Sequence, residues 1–223
     1  MSIPLKSKAF PAALALLLLA LGIPQTIDSI LWFLTGDTPS QLGGGSPASP
    51  DQAEANAALL EKADAWTGDP PARMRAGILR LRLAPANGTV DQKQLQRAID
   101  DLTDGLARDP ANSLAWAALS QAQILAGNTG EAKDSLTTSL LLGEHEIGLS
   151  LWRCELGLQL WGSLDSDDRN LWNEQVRMAW DNQPRKLADL ALSGNGAYMT
   201  PIRLALLSDR ERLQAFDLAV GRQ

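Results

Sequence analysis

Residues 112–142, NSLAWAALSQAQILAGNTGEAKDSLTTSLLL, constrain this chain more than any other stretch, because they read as two helices joined by a tight turn. Leu114, Ala117, Gln121 and Ile124 share one face of the first helix, with Trp116, Leu119, Ala122 and Gln123 on the neighbouring one. Gly127-Asn128 breaks the pattern, since glycine tolerates the left-handed conformation that ends a helix. Asn128 is expected to cap the second helix, with Glu131 three residues on closing a capping box. A shift of 34 residues then superposes Ala98 on Ala132, Leu102 on Leu136, Gly105 on Ser139 and Leu106 on Leu140. Small meets small and leucine meets leucine, which is the mark of an internal repeat.

A helix pair of this length and spacing resembles a tetratricopeptide repeat (TPR). Trp116, Leu119, Ala122, Gly127, Glu131, Ala132, Ser139 and Leu140 fall where that family places its large, small and turn residues. The resemblance covers about residues 72–142. It implies an all-α, TPR-like array of antiparallel helix pairs, an α-solenoid. It also implies a concave groove, lined by the first helices of the pairs, that holds an extended or helical peptide. By register Leu114, Ala117, Gln121 and Ile124 fall on that groove, which would be mildly apolar and uncharged. One branch of the family clamps a partner's C-terminal carboxylates there with Lys and Asn. Ala117 and Gln121 depart from that pattern, which argues against a chaperone-tail adaptor. Trp116, at the large position, is expected to be largely buried.

From Asp51 onward the helical signals continue. Asp51 can cap a helix to Trp66, and Pro70 or Pro71 opens the next, which ends before Pro85. Ala-Asn-Gly-Thr then makes a loop about five residues longer than the repeat needs, and Asp91 with Gln94 forms a capping box into a helix ending at Arg108. The better repeats are 72–110 and 112–142. A degenerate one follows at 144–182, its first helix apolar nearly all round and its second capped by Asp165 and Asp168. Terminal helices fill 184–221, the last announced by Ser208 and Glu211. An atypical end is what a helical array requires, because its last helix must show a polar face. No run alternates as a strand would.

The N-terminus has its own logic. Lys6 and Lys8 precede a wholly uncharged stretch at 9–24, rich in Ala and Leu. Two readings stand: a signal peptide cleaved near Ala20-Leu21-Gly22, or an uncleaved anchor. A second apolar patch, Ile27, Ile30, Leu31 and Leu34 with Trp32 and Phe33 beside them, favours the anchor. A helix over 9–34 would run about 39 Å, more than the hydrocarbon core of about 30 Å. Residues 1–34 are therefore expected to be a membrane anchor with an interfacial end. Residues 35–50 make a Gly/Ser/Pro linker and 51–223 the helical domain. Both lysines lie before the span and acids after it, so the N-terminus is expected in the cytoplasm and the domain in a bacterial periplasm.

Charge and composition exclude several chemistries. The net charge of -6 argues against nucleic acid, whose phosphates need clustered Lys and Arg. The single Cys154 cannot form an intrachain disulfide, and in the run LWRCELGLQLW it reads as an inert core thiol. The only histidine, His145 between Glu144 and Glu146, reads as a solvated helix terminus rather than a ligand, because side chains at i and i+1 diverge. Asp100, Asp101 and Asp104 read as a solvated helix face, and Asp165, Asp167 and Asp168 as a helix N-terminus. No cofactor, metal or catalytic set is expected. The sequence thus points to a non-catalytic scaffold that binds protein partners of an envelope assembly, such as a polysaccharide or secretion apparatus. An alternative is a glycan- or small-ligand-binding surface in the C-terminal third, built on Trp152, Arg153, Trp172, Arg177 and Arg185. Tryptophans there would otherwise lock successive helices as core.

Overall fold

The computed structural model describes residues 50–86 and 89–221. Among the described residues ten helices follow one another: α1 (Pro50–Thr67), α2 (Pro70–Leu83), α3 (Gln92–Arg108), α4 (Ser113–Ala126), α5 (Thr129–Leu142), α6 (Ile147–Gln159), α7 (Ser166–Asn182), α8 (Pro184–Ser193), α9 (Met199–Leu206) and α10 (Arg210–Val220). The long connection between α2 and α3 holds an antiparallel ladder, β1 (Pro85–Ala86) against β2 (Thr89–Val90). Strands of two residues are too short to show alternation, so the sequence marks them only as a loop. The fold is an all-α helical repeat. The expected anchor over 1–34 and most of the linker lie outside the described residues, and the helical run begins at Pro50, one residue inside the expected linker. Among the described residues no helix is long and apolar enough to cross a membrane.

Local chemistry sets the helix ends. Pro70 and Pro71 open α2, where their missing N–H groups cost nothing. Asn112 caps α4 by accepting from the Ala115 N–H at 2.9 Å. At the other end Gly127 takes φ 83°, its N–H reaching Ile124 O while Asn128 N–H reaches Gln123 O, the paired bonds that close a helix around a left-handed residue. Asp165 and Asp168 form the full capping box of α7.

Four expected caps differ. Asp51 lies inside the first turn of α1, which begins at Pro50, rather than ahead of it. Asn128 has ψ 66°, its side chain makes no cap bond, and its amide donates instead toward Glu131 at 3.4 Å. Asp91 caps α3 through the Lys93 and Gln94 N–H groups, but Gln94 Oε1 has no partner, so that box stays half closed. The last helix is capped by Asp209, not Ser208, its carboxylate accepting from the Glu211 and Arg212 N–H groups. A carboxylate beside the positive end of the helix dipole is the stronger acceptor.

The helices pack as successive antiparallel pairs, α2 with α3, α4 with α5, α6 with α7, with the first helices α2, α4 and α6 as neighbours. Each pair closes on a small residue of its first helix. Gly77 faces Ala98 and Leu102, the Ser120 hydroxyl donates to Ala132 O at 2.8 Å, and Gly157 faces Trp172. The apolar core is correspondingly serial. One cluster joins α1 to α2 (Ala57, Leu60, Ala76), and a second joins α2, α3 and α4 (Met74, Leu102, Leu119). A third runs from α4 and α5 to α10 through Leu136, Trp172 and Phe216. Stability in such an array is a sum over neighbours.

Two expectations about burial are corrected. Trp116 is only half-buried, because its ring lies along the α3–α4 connection with its N–H donating to Pro110 O at 2.8 Å. Asp101 is not on a solvated face: it is buried at 2% exposure between α2 and α3, paired directly with Arg80 and, at 2.9 Å, with Arg73.

Candidate functional site

The surface along α4 is built from residues that packing leaves partly open. Leu114, Gln121 and Ile124 are half-buried, but Ala117 is fully buried in the third cluster, so it is removed from any groove surface. Its small side chain sits in the cluster that α4 shares with α5 and α6. Gln121 is held in place: its Oε1 accepts from the Trp152 Nε1–H of α6 at 3.0 Å. Trp152 is half-buried and packs against both the second and third clusters. The structure therefore joins a residue of the expected groove to one of the alternative ligand surface. Leu114, Gln121 and Ile124 of α4 and Trp152 of α6 all stay partly open, and the amide–indole bond joins the two helices.

The rest of the alternative surface does not assemble. Trp172 is fully buried, its indole N–H donating to Cys154 O at 3.1 Å and its ring 5.2 Å from that of Trp161. Arg153 is also fully buried. Its guanidinium donates to Ser139 Oγ at 3.1 Å, Ser139 O at 2.7 Å, Gly143 O at 2.5 Å and Gln175 Oε1 at 3.3 Å. Those carbonyls end α5, so Arg153 supplies a cation to the negative end of that helix. Burial pulls the arginine below its ordinary value, opposed by Glu146 at 3.9 Å. Neither residue can stack on a ligand, because ring faces and guanidinium edges are already occupied. Arg177 is tied to Glu174 at 2.5 Å and to Ala205 O at 2.9 Å, joining α7 to α9. Arg185 is exposed on α8.

The remaining titratable groups have structural surroundings. Burial pushes the Cys154 thiol far above its ordinary value, which removes the thiolate a nucleophile needs. His145 is exposed in the turn before α6. Among the described residues no group of three or more His, Cys, Asp or Glu side chains is placed to hold a metal.

Sequence reasoning missed the ionic seam between α1, α2 and α3. Arg80, buried at 2% exposure, meets Glu61 of α1 at 2.8 Å as well as Asp101. Around it Arg97 meets Glu54 at 3.1 Å, and Arg108 grips Asp64 with two bonds at 2.6 and 2.9 Å. Hydrogen bonding from Arg80 holds the Glu61 carboxyl below its ordinary value. Burial raises that of Asp101, with Arg80 and Arg73 pulling it back. The signal was present: Asp101 interrupts the Ala98–Leu102–Gly105 stripe, where a lone carboxylate implies a buried cation on the facing helix.

A family model for the tetratricopeptide repeat matches residues 89–142, the span of β2, α3, α4 and α5. This portion is TPR-like, and repeats of this kind generally mediate protein–protein interaction. No curated protein and no solved structure matches the chain.

Proposed function

We propose that this chain is a non-catalytic scaffold anchored by residues 1–34 in the inner membrane of a bacterial envelope. Its N-terminus faces the cytoplasm and its helical domain faces the periplasm. There it positions protein partners of an envelope assembly, such as a polysaccharide or secretion apparatus. One observation carries the binding reading: Leu114, Gln121 and Ile124 of α4 and Trp152 of α6 are partly open, uncharged side chains on neighbouring first helices, joined by the Trp152–Gln121 hydrogen bond. Their apolar character suits a peptide helix or strand with leucine-like anchors. The lysines before the apolar stretch support the orientation.

A photoreactive residue at Leu114 in the full chain should crosslink a discrete protein in intact cells, and one at exposed Glu211 should not. Ile124→Glu should abolish that product while circular dichroism keeps its helical signal. Burying an unpaired charge costs several kcal/mol, and a micromolar partner has only about 8 kcal/mol to lose. Equal crosslinking from both positions, or indifference to Ile124→Glu, would remove the groove reading. The anchor is tested separately: the protein should resist carbonate extraction, and a periplasm-dependent reporter fused after Gln223 should be active.

A further inference from the structure

Nine large hydrophobic side chains stand exposed among the described residues, and five of them gather on the two flanks of α7. Leu141, Leu142 and Ile147 border the α5–α6 turn, and Leu204 and Leu207 lie at the end of α9, each between 46% and 62% exposed. Hydrogen bonds tie both groups to α7. Gln175 Nε2 donates to Glu144 O at 2.9 Å, and Arg177 Nη1 donates to Ala205 O at 2.9 Å. At about 100° of helix per residue, Gln175 and Arg177 leave α7 roughly 160° apart, on either side of exposed Glu174. Glu174 itself is closed by Arg177 at 2.5 Å. Its carboxyl is held below its ordinary value chiefly by that bond, with Arg212 of α10 and His145 of the α5–α6 turn adding to the pull. The middle of this arrangement is therefore neutral, and its two flanks carry opposite charges. Glu144 is exposed on the first flank and Arg210 on the second, and among the described residues neither side chain has an ion-pair partner. Arg210 stands in the first turn of α10, where the helix dipole disfavours a cation, so the helix gives no reason for it.

We propose that a second copy of this chain covers this face through a twofold axis passing near the Glu174–Arg177 pair. Leucines of the α5–α6 turn in one copy then meet those of α9 in the other, and Glu144 meets the partner's Arg210 in both directions. Charge order selects this occupant. A twofold axis lays each flank on the opposite one, so an acid on one side and a base on the other make a face complementary to itself. The Glu174–Arg177 ion pair keeps unpaired like charges away from the axis, where each group would face its own copy. An anionic membrane surface fits less well, because Glu144 and Glu174 are both exposed on this face. Five apolar side chains from each copy make a small interface, which suits a dimer that comes apart on dilution rather than an obligate one. The inference goes beyond the preceding proposal and needs neither the anchor nor the α4 surface.

The test is sedimentation equilibrium of the full chain in mild detergent, which serves whether or not the N-terminus is inserted in a membrane. The parent should pass from dimer to monomer on dilution through the micromolar range. Leu207→Asp should weaken the dimer at least about a hundredfold, since symmetry buries the unpaired carboxylate twice. Glu144→Arg and Arg210→Glu should each weaken it about tenfold, and the double variant Glu144→Arg/Arg210→Glu should return to within about threefold of the parent, because the exchanged charges meet again. All three positions are exposed, so circular dichroism should keep its helical signal in every variant. A parent that stays monomeric throughout that range, a dimer indifferent to Leu207→Asp, or a double variant no tighter than the single ones would overturn the proposal. So would a photoreactive residue at Leu207 that captures a different protein in cells instead of doubling the mass of the chain. That doubled mass also separates this contact, even when crosslinked from neighbouring Glu211, from partner capture at Leu114. The Leu114 product and carbonate extraction report on the preceding proposal and are not moved by these outcomes.

Discussion

Replacing Gly157 with alanine sets helix propensity against packing, and the structure decides the sign. In an open helix interior Gly→Ala gains about 1 kcal/mol. At Gly157 the added Cβ would lie 2.2 Å from both Cδ1 and Nε1 of Trp172 and 3.0 Å from its Cγ. The indole has nowhere to go: it is fully buried, its N–H is spent on Cys154 O, and Trp161 stands against its ring. Overpacking of a core costs about 1–3 kcal/mol, and displacing the indole leaves its N–H unsatisfied at about 1–3 kcal/mol more. Against the propensity gain, Gly157→Ala should destabilise the domain by roughly 1–5 kcal/mol. At about 2–4 °C per kcal/mol for a domain of this size, the midpoint loss corresponds to a melting temperature lower by roughly 6–12 °C. The matched control is Gly148→Ala in the first turn of the same helix, where an added Cβ meets nothing within 4 Å and the change should be neutral or stabilising. Thermal melts followed by circular dichroism and tryptophan fluorescence would read both. If Gly157→Ala melts at or above the parent, Trp172 does not fill the space beside α6, and the description of the third pair is wrong.

Arg153→Ala should cost about 3–5 kcal/mol in urea titrations, since it removes four hydrogen bonds and leaves a cavity between α5, α6 and α7. Arg153→Lys should recover only part of this, because a single ammonium cannot reach Ser139, Gly143 and Gln175 together; full recovery would show that charge alone matters. In acid the signs divide. Glu61 and Glu174 are held below their ordinary value chiefly by hydrogen bonds from Arg80 and Arg177, so their stabilisation is complete above that value and fades as pH falls through it. Burial raises Asp101, so the native state takes up that proton first and the group acts in the opposite sense. Urea midpoints from neutral pH down to about pH 3.5 should therefore fall with a shallower acid limb in Glu61→Gln and a steeper one in Asp101→Asn; parallel curves for all three proteins would refute the seam.

Much of this molecule is written locally. The Gly127 turn, the Asp165 cap and the Pro70-Pro71 start lie in short stretches, because glycine dihedrals, side-chain acceptors and proline rings act within one helical turn. The 34-residue shift between α3 and α5 is likewise visible in the chain, since each repeat must bury the same face. A buried Cys154 follows from its apolar neighbours. What the tertiary structure alone decides is which partly polar residues are covered, and by what. Ala117 and Gln121 share a helix face, yet the first is fully buried in the cluster shared with α5 and α6, while the second stays partly open and is hydrogen-bonded by Trp152 of α6. Trp116 and Trp172 are both tryptophans in helical patterns, but one lies along a connection and the other fills the space a glycine leaves on the facing helix. Arg153 and Asp101 read as solvated by type. Each is buried because a partner far along the chain, the end of α5 or Arg80 of α2, satisfies it, and such pairing becomes defined only when the helices are side by side.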